Sequence, residues 1–198
     1  FGFEKVLKGV RLPTDIEFLP DGRVLITTRT GKVYLYDRIN NNRKGLALDL
    51  GKKCCSNGSE RGLLSAVVHP DFGKKNNYVY LYYVRSNLKK NSCELFRETK
   101  DLNSPADRVS RFILSDDGKL HSEKVLLETG PVGTMHNGGD MSFDSDGYLW
   151  ITTGDGHMLL RDGKTPPSGL TNNLHGKLLR INDDGSVPRD NPYAGKRN

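Results

Sequence analysis

His136 and Asp155 are the residues of this 198-residue chain best placed to do chemistry together. His136 lies in Met135-His-Asn-Gly-Gly-Asp140, which leads into Met141-Ser-Phe143. Asp155 lies in Thr153-Gly-Asp-Gly156, which follows Tyr148-Leu-Trp-Ile-Thr-Thr153. If the first apolar run is a strand and the second its antiparallel return, both residues fall at the same end of the pair. A carboxylate beside an imidazole orients the ring and raises its basicity, which makes a general base. Gly138 and Gly139 carry no side chains, leaving room for a bulky ligand against the backbone. The plainer alternative is a histidine satisfied within a turn and an Asp-Gly that only makes a bend. A further alternative takes His136, Asp155 and His157 as ligands of a catalytic metal in a hydrolase-type site, although no spacing forces them together.

The elements that must hold these residues are strands. Helical periodicity is nearly absent, and short β-branched and aromatic runs alternate with Gly, Asp and Asn. The first unit reads Asp15-Ile-Glu-Phe18, a turn at Pro20-Asp-Gly22, Arg23 to Thr28, a turn at Thr30-Gly31, Lys32 to Asp37, and a fourth strand at Leu46 to Leu50. The pattern returns from Leu64-Ser-Ala-Val-Val68 through His69-Pro-Asp-Phe72, Tyr78 to Val84 and Arg108 to Leu114. It returns again from Asp140 through Ser145-Asp-Gly147, Tyr148 to Thr153 and Lys177 to Asn182. The turn aspartates Asp21, Asp71 and Asp146 stand about 50 and then about 75 residues apart, against the ~40–50 residues of a propeller blade. The excess falls in the polar stretch 86–107, read as an insertion. The expected fold is therefore an all-β propeller segment of about three four-stranded blades. Blade 1 covers about 12–50, blade 2 about 60–128, and an incomplete blade 3 about 136–198. The innermost strand of a blade is buried on both faces, which accounts for the unbroken apolar or small run Leu64 to Val68. Residues 2–7 could add an outer strand to a last blade, and three blades close no ring, so the chain reads as a fragment of a longer polypeptide.

Composition narrows the function classes. Hydrophobic residues make up 35% of the chain and the net charge is +6, from 30 basic and 24 acidic residues, which suits a globular core. The lysines pair in loop-like contexts (Lys52-Lys53, Lys74-Lys75, Lys89-Lys90) with no interleaved aromatic stripe, so nucleic acid is not an expected partner. No apolar run approaches the ~18 residues of a membrane span, and neither end reads as a signal peptide, though a cleaved leader could precede Phe1. Of three cysteines, either Cys54 or Cys55 can bridge to Cys93, leaving the other free or paired outside the chain; the alternative is three free thiols. No Cys-x-x-Cys occurs, so a zinc knuckle is not supported. His69, His121 and His175 read as structural, and Trp150 as core or inter-blade packing.

Taken in order, Glu60-Arg-Gly-Leu-Leu64 with His69-Pro-Asp-Phe72, His136-Asn-Gly-Gly-Asp140, Thr153-Gly-Asp-Gly156, and Gly176-Lys-Leu-Leu-Arg-Ile-Asn182 with Asp184-Gly-Ser-Val-Pro-Arg-Asp-Asn-Pro192 resemble the soluble quinoprotein glucose/sorbosone (aldose sugar) dehydrogenases. The resemblance runs from about Leu12 to Pro192. It implies a six-bladed propeller that uses pyrroloquinoline quinone (PQQ) and calcium to oxidise the anomeric hydroxyl of an aldose to the lactone. On that reading His136 matches the general base and Asp155 the carboxylate that polarises it. Glu60 and Asn137 line the cofactor side, and Arg61 would pair with Glu60, since an unpaired carboxylate facing an anionic cofactor is costly. Partners would be the sugar, an electron acceptor, and the rest of the propeller, supplied either by the missing C-terminal half or by another chain. The family's Arg-Asn quinone clamp and its calcium ligands belong to the half that follows, so no metal ligand is assigned here, and residues 1–198 alone should hold PQQ poorly. Met135 departs from members that carry an acidic residue there.

The propeller of Hedgehog-interacting proteins shares the Glu-Arg-Gly-Leu-Leu, His-Pro and Gly-Asp-Gly features and works as a binding module. There the loop after Gly-Asp-Gly engages the partner, and its counterpart here runs from His157 to Thr171. Both kinds of relative imply a secreted or periplasmic location, which suits bridging cysteines.

Overall fold

The computed structural model describes residues 2–3, 7–37, 43–94, 103–157 and 167–194. Its strands form three antiparallel sheets in the order of the sequence repeat. The first sheet is β1 (Pro13–Phe18), β2 (Val24–Thr28), β3 (Lys32–Asp37) and β4 (Arg43–Asp49), each hydrogen-bonded to the next. The second is β5 (Leu63–Val68), β6 (Tyr78–Arg85), β7 (Ala106–Leu114) and β8 (Leu120–Pro131). The third holds β9 (Gly138–Phe143), β10 (Leu149–Thr153) and β11 (Leu178–Ile181) among the described residues. The expected outer strand at residues 2–7 and the loop 158–166 fall wholly or largely outside the described residues, as does part of the 86–107 insertion.

Tight turns set each register. Pro20-Asp-Gly22 turns β1 into β2, with Ile16 opposite Ile26, and Gly22 takes the positive φ of 85° that the turn requires. In the third sheet Asp144 rather than Asp146 ties the turn, since its Oδ1 accepts from the amides of Asp146 and Tyr148. Its Oδ2 accepts from the indole N–H of Trp150, which is half-buried against Arg180 rather than part of the closed core.

The first strands of the sheets lie side by side, β1 against β5 and β5 against β9. Carboxylates on β1 stitch the first junction: Asp15 Oδ2 accepts from the amide of Ala66 at 3.0 Å and Glu17 Oε1 from that of Val68 at 2.8 Å. Across the second junction Ser65 Oγ donates to the carbonyl of Gly139, and Tyr80 Oη to that of Asp183 at 3.1 Å. His69 belongs to this junction: its ring packs on Phe143, and its Nε2 lies 3.6 Å from Asp183. β5 is less enclosed than its apolar run implied, because Leu64, Val67 and Val68 remain half-buried while Leu63, Ser65 and Ala66 are covered.

The cores form between sheets. One cluster joins Leu25, Val33 and Leu35 to Leu63, Val79, Leu81 and Phe112, and a second joins Tyr80, Tyr82 and Val109 to Met141, Leu149 and Ile151. The middle sheet thus buries one face on each neighbour, as propeller packing requires.

The bridge forms between Cys55 and Cys93, with Cα atoms 5.4 Å apart. Cys54 is free and buried, and desolvation pushes its thiol up to about 12. Adjacent residues in extended backbone point opposite ways, so Cys54 enters the first core while Cys55 faces Val84 and Val132. Replacing Cys93 by Ser opens a loop spanning 38 residues, a loss of about 3–4 kcal/mol on the chain-entropy scale. Denaturant melts of the oxidised protein and of Cys93→Ser measure that loss directly.

Candidate functional site

The chain reaches His136 from β8 and leaves it into β9, while Asp155 follows β10. β9 and β10 are paired with Trp150 opposite Ser142 and Thr153 opposite Gly138, so both residues emerge at one end of the sheet. His136 Nδ1 and Asp155 Oδ1 are 2.9 Å apart. The imidazole is about half exposed, at 52%, and among the described residues its Nε2 makes no hydrogen bond, which leaves that nitrogen free for a substrate.

The backbone at this point is unusual and well tied. His136 adopts φ 57° and His157 φ 49°, left-handed conformations that cost ordinary residues energy and cluster at functional sites. The His136 amide donates to Glu60 Oε2, its carbonyl accepts from Gly156 N at 2.8 Å, and the Asn137 carbonyl accepts from Tyr82 Oη at 2.8 Å. His157 donates its amide to Asp155 Oδ1 at 2.9 Å, and its ring centroid sits 5.0 Å from that of His136. That backbone hydrogen bond is the largest influence on the Asp155 carboxyl; burial opposes it, the His136 side chain adds to it, and the carboxyl is held below its usual range. Asp155 is therefore an anion at neutral pH, fixed from two sides.

Gly138 and Gly139 do not open space for a ligand. A Cβ on Gly138, at φ 70°, would lie 2.5 Å from Gly154 N, and one on Gly139 would lie 2.8 Å from the Tyr82 ring. These glycines let β9 approach its neighbours, which is what brings His136 within reach of Asp155.

Glu60 is exposed and reaches the His136 amide, whereas Arg61 is fully buried. Its Nε donates to the Gly133 carbonyl at 2.8 Å, Nη2 to Val132 at 2.8 Å and Nη1 to Cys93 at 2.7 Å. The expected pairing of Arg61 with Glu60 does not form, because consecutive extended residues face opposite ways and the guanidinium is spent on carbonyls. Asn137 is also buried, at 1% exposure, and its Nδ2 lies 3.3 Å from Asp107 Oδ1. Arg61 and Asn137 thus lie beneath the His136 turn rather than at its surface.

Asp107 and Tyr82 went unnoticed in the sequence. Asp107 enters β7 at the end of the insertion and is wholly buried; its Oδ2 and Asn137 Oδ1 have no hydrogen-bond partner among the described residues. Desolvation pushes its carboxyl up to about 7, opposed by Tyr82, Asn137 and Arg61. The folded state then keeps a proton that the unfolded chain releases above 3.8. This group's contribution to stability falls as pH rises from about 4 to about 7 and is gone above that range. A shift of about three units is worth about 4 kcal/mol. Asp107→Asn should flatten the dependence and stabilise the protein at pH 8 but not at pH 4, as read by melting temperature across pH.

Among the described residues, no three His, Cys, Asp or Glu side chains converge as a metal site. His136, Asp155 and His157 do meet, but Asp155 Oδ1 is occupied by the His157 amide and His136 Nδ1. No helix among the described residues is long and apolar enough to cross a membrane.

Four-stranded antiparallel sheets repeated with their first strands side by side define a β-propeller segment, with the His136–Asp155 pair at one end of its third sheet. The glucose/sorbosone dehydrogenase family model matches residues 10–198, and the chain belongs to that family. It is 29% identical to human Hedgehog-interacting protein over 217 residues, which covers 100% of this chain and 29% of that protein. It is 27% identical to quinoprotein glucose dehydrogenase B of Acinetobacter calcoaceticus, covering 97% of this chain and 41% of that protein. A solved glucose dehydrogenase superposes with a TM-score of 0.77 at 28% identity, covering 98% of this chain and 51% of that one. The chain therefore spans less than half the length of these curated relatives and about half of the solved structure.

Proposed function

We propose that this chain supplies the proton-abstracting half of a PQQ-dependent aldose dehydrogenase, with further blades completing the ring. The observation that carries the reading is the half-exposed imidazole tied at Nδ1 to an anionic carboxylate. His136 Nε2 accepts the proton of the sugar's anomeric hydroxyl, while Asp155 holds the Nδ1–H tautomer and stabilises the imidazolium that forms. The left-handed turn at His136 and the paired β9 and β10 hold the imidazole against Asp155.

The residues present fit a quinone site in this half. Glu60 and His136 are the exposed groups that would border PQQ, and the His136 amide offsets part of the Glu60 charge facing an anionic cofactor. Arg61 and Asn137 act from beneath by fixing the turn. When bound, PQQ would supply the two-electron acceptor for the hydride leaving the anomeric carbon. Calcium, the acceptor that reoxidises the cofactor, and a secreted or periplasmic location come with the same reading; the Cys55–Cys93 bridge supports an oxidising compartment.

The second reading is a non-catalytic binding module, favoured by the similarity to Hedgehog-interacting protein along the whole chain. Equilibrium titration with PQQ separates the two. The dehydrogenase reading expects saturable binding by the full polypeptide as its source makes it, and much weaker binding by residues 1–198. Absence of binding to the full polypeptide, with calcium present, would favour the module.

A further inference from the structure

The loop that carries Glu60 also carries Asn57-Gly58-Ser59, the one Asn-x-Ser/Thr triplet in this sequence whose middle residue is not proline. We propose that Asn57 is an acceptor for an N-linked oligosaccharide, which places a glycan at the rim of the His136–Asp155 site. The inference goes beyond the proposed function and holds for an enzyme or a binding module alike.

Three observations support it. Asn57, Gly58 and Ser59 are all exposed and lie outside any strand, between Cys55 and the start of β5, where a branched sugar meets no packed neighbour. Among the described residues the Asn57 side chain is held at the outer limit of hydrogen bonding, Nδ2 donating to the Cys93 carbonyl and Oδ1 accepting from Arg61 Nη1, both at 3.4 Å. A substituted Nδ2 keeps one hydrogen, so the first of these contacts survives modification. Two residues away, Cys55 is bridged to Cys93, a pairing that suits the oxidising compartment where such transfer occurs.

The chemistry needs a lipid-diphosphate-linked oligosaccharide as co-reactant. The bond between the sugar's anomeric carbon and phosphate oxygen breaks, a bond from that carbon to Asn57 Nδ2 forms, the diphosphate leaves with the electron pair, and one amide proton passes to a base of the transferase. Its location matters because Gly58 packs on Thr134, where an added Cβ would come within 2.7 Å, and Glu60 holds the His136 amide. The glycan therefore projects from the loop that braces the site, three residues from Glu60.

The test is to secrete the full polypeptide from eukaryotic cells and analyse the peptide containing Asn57 before and after treatment with peptide N-glycosidase. The expected result is a glycan-bearing peptide that the glycosidase converts to one carrying Asp in place of Asn57. Ser59→Ala should abolish the modification and Ser59→Thr should retain it, which separates loss of the acceptor triplet from loss of folding. An Asn57 peptide found only unmodified, in cells that glycosylate a co-secreted control glycoprotein, would overturn the proposal.

Discussion

Replacing His136 by Gln should lower aldose oxidation by the complete, cofactor-loaded protein by about 10²–10⁴-fold, the usual worth of a positioned general base. Glutamine keeps a polar group of similar length, so the turn retains its backbone hydrogen bonds to Glu60, Gly156 and Tyr82. The loss should appear in kcat and kcat/KM alike, because the proton is taken only as the reaction proceeds. Asp155→Asn should reproduce part of it by removing the charge opposite the imidazolium, with the fold unchanged. A variant at His136 that turned over sugar at the normal rate would remove its assigned role, whatever the protein binds.

The second large effect concerns stability. Arg61→Ala should cost about 3–5 kcal/mol, since several acceptors are left unpaired at about 1–3 kcal/mol each. Three carbonyls, those of Gly133, Val132 and Cys93, lose charge-assisted donors, and the first two bonds are buried. Lysine is a poor substitute because one ammonium cannot reproduce the planar fork that contacts carbonyls from two stretches of chain. Because the Val132 and Gly133 carbonyls lie just before the His136 turn, Arg61→Lys should also loosen the site, lowering activity more than its stability loss alone would. Chemical denaturation gives the first quantity. Activity measured well below the melting temperature gives the second.

Much of this was legible in the sequence, and the reasons are local. Pro20-Asp-Gly22 and Ser145-Asp-Gly147 mark turns by backbone conformation, and alternating or unbroken apolar runs mark the strands they join, so the repeat could be read directly. The meeting of His136 with Asp155 follows from antiparallel pairing of β9 and β10, a local event between neighbouring strands. The directions of Glu60 and Arg61 were not legible, because the stretch before β5 has no periodic pattern to assign one side to solvent. The same alternation decides between Cys54 and Cys55, and only the positions of Leu50 and Val84 show which faces the core. Asp107 escaped notice for a different reason. Its partners Tyr82 and Asn137 come from other elements, and a single Asp at the edge of a polar insertion looks like an ordinary surface residue.

The buried layer of Arg61, Asp107, Tyr82 and Asn137 gives the site its rigidity. It joins the disulfide-braced loop, β6, β7 and the His136 turn through contacts that local sequence patterns do not encode. Strained histidines at 136 and 157 can persist only where the surroundings determine them this fully.

The measurement that tests the central claim most directly is aldose-dependent reduction of an artificial electron acceptor by the full polypeptide, loaded with PQQ and calcium. The account predicts sustained turnover with an aldose, none when the anomeric hydroxyl is blocked as a methyl glycoside, and near-complete loss in His136→Gln. A protein that binds PQQ yet leaves the acceptor unreduced with every aldose offered would contradict it.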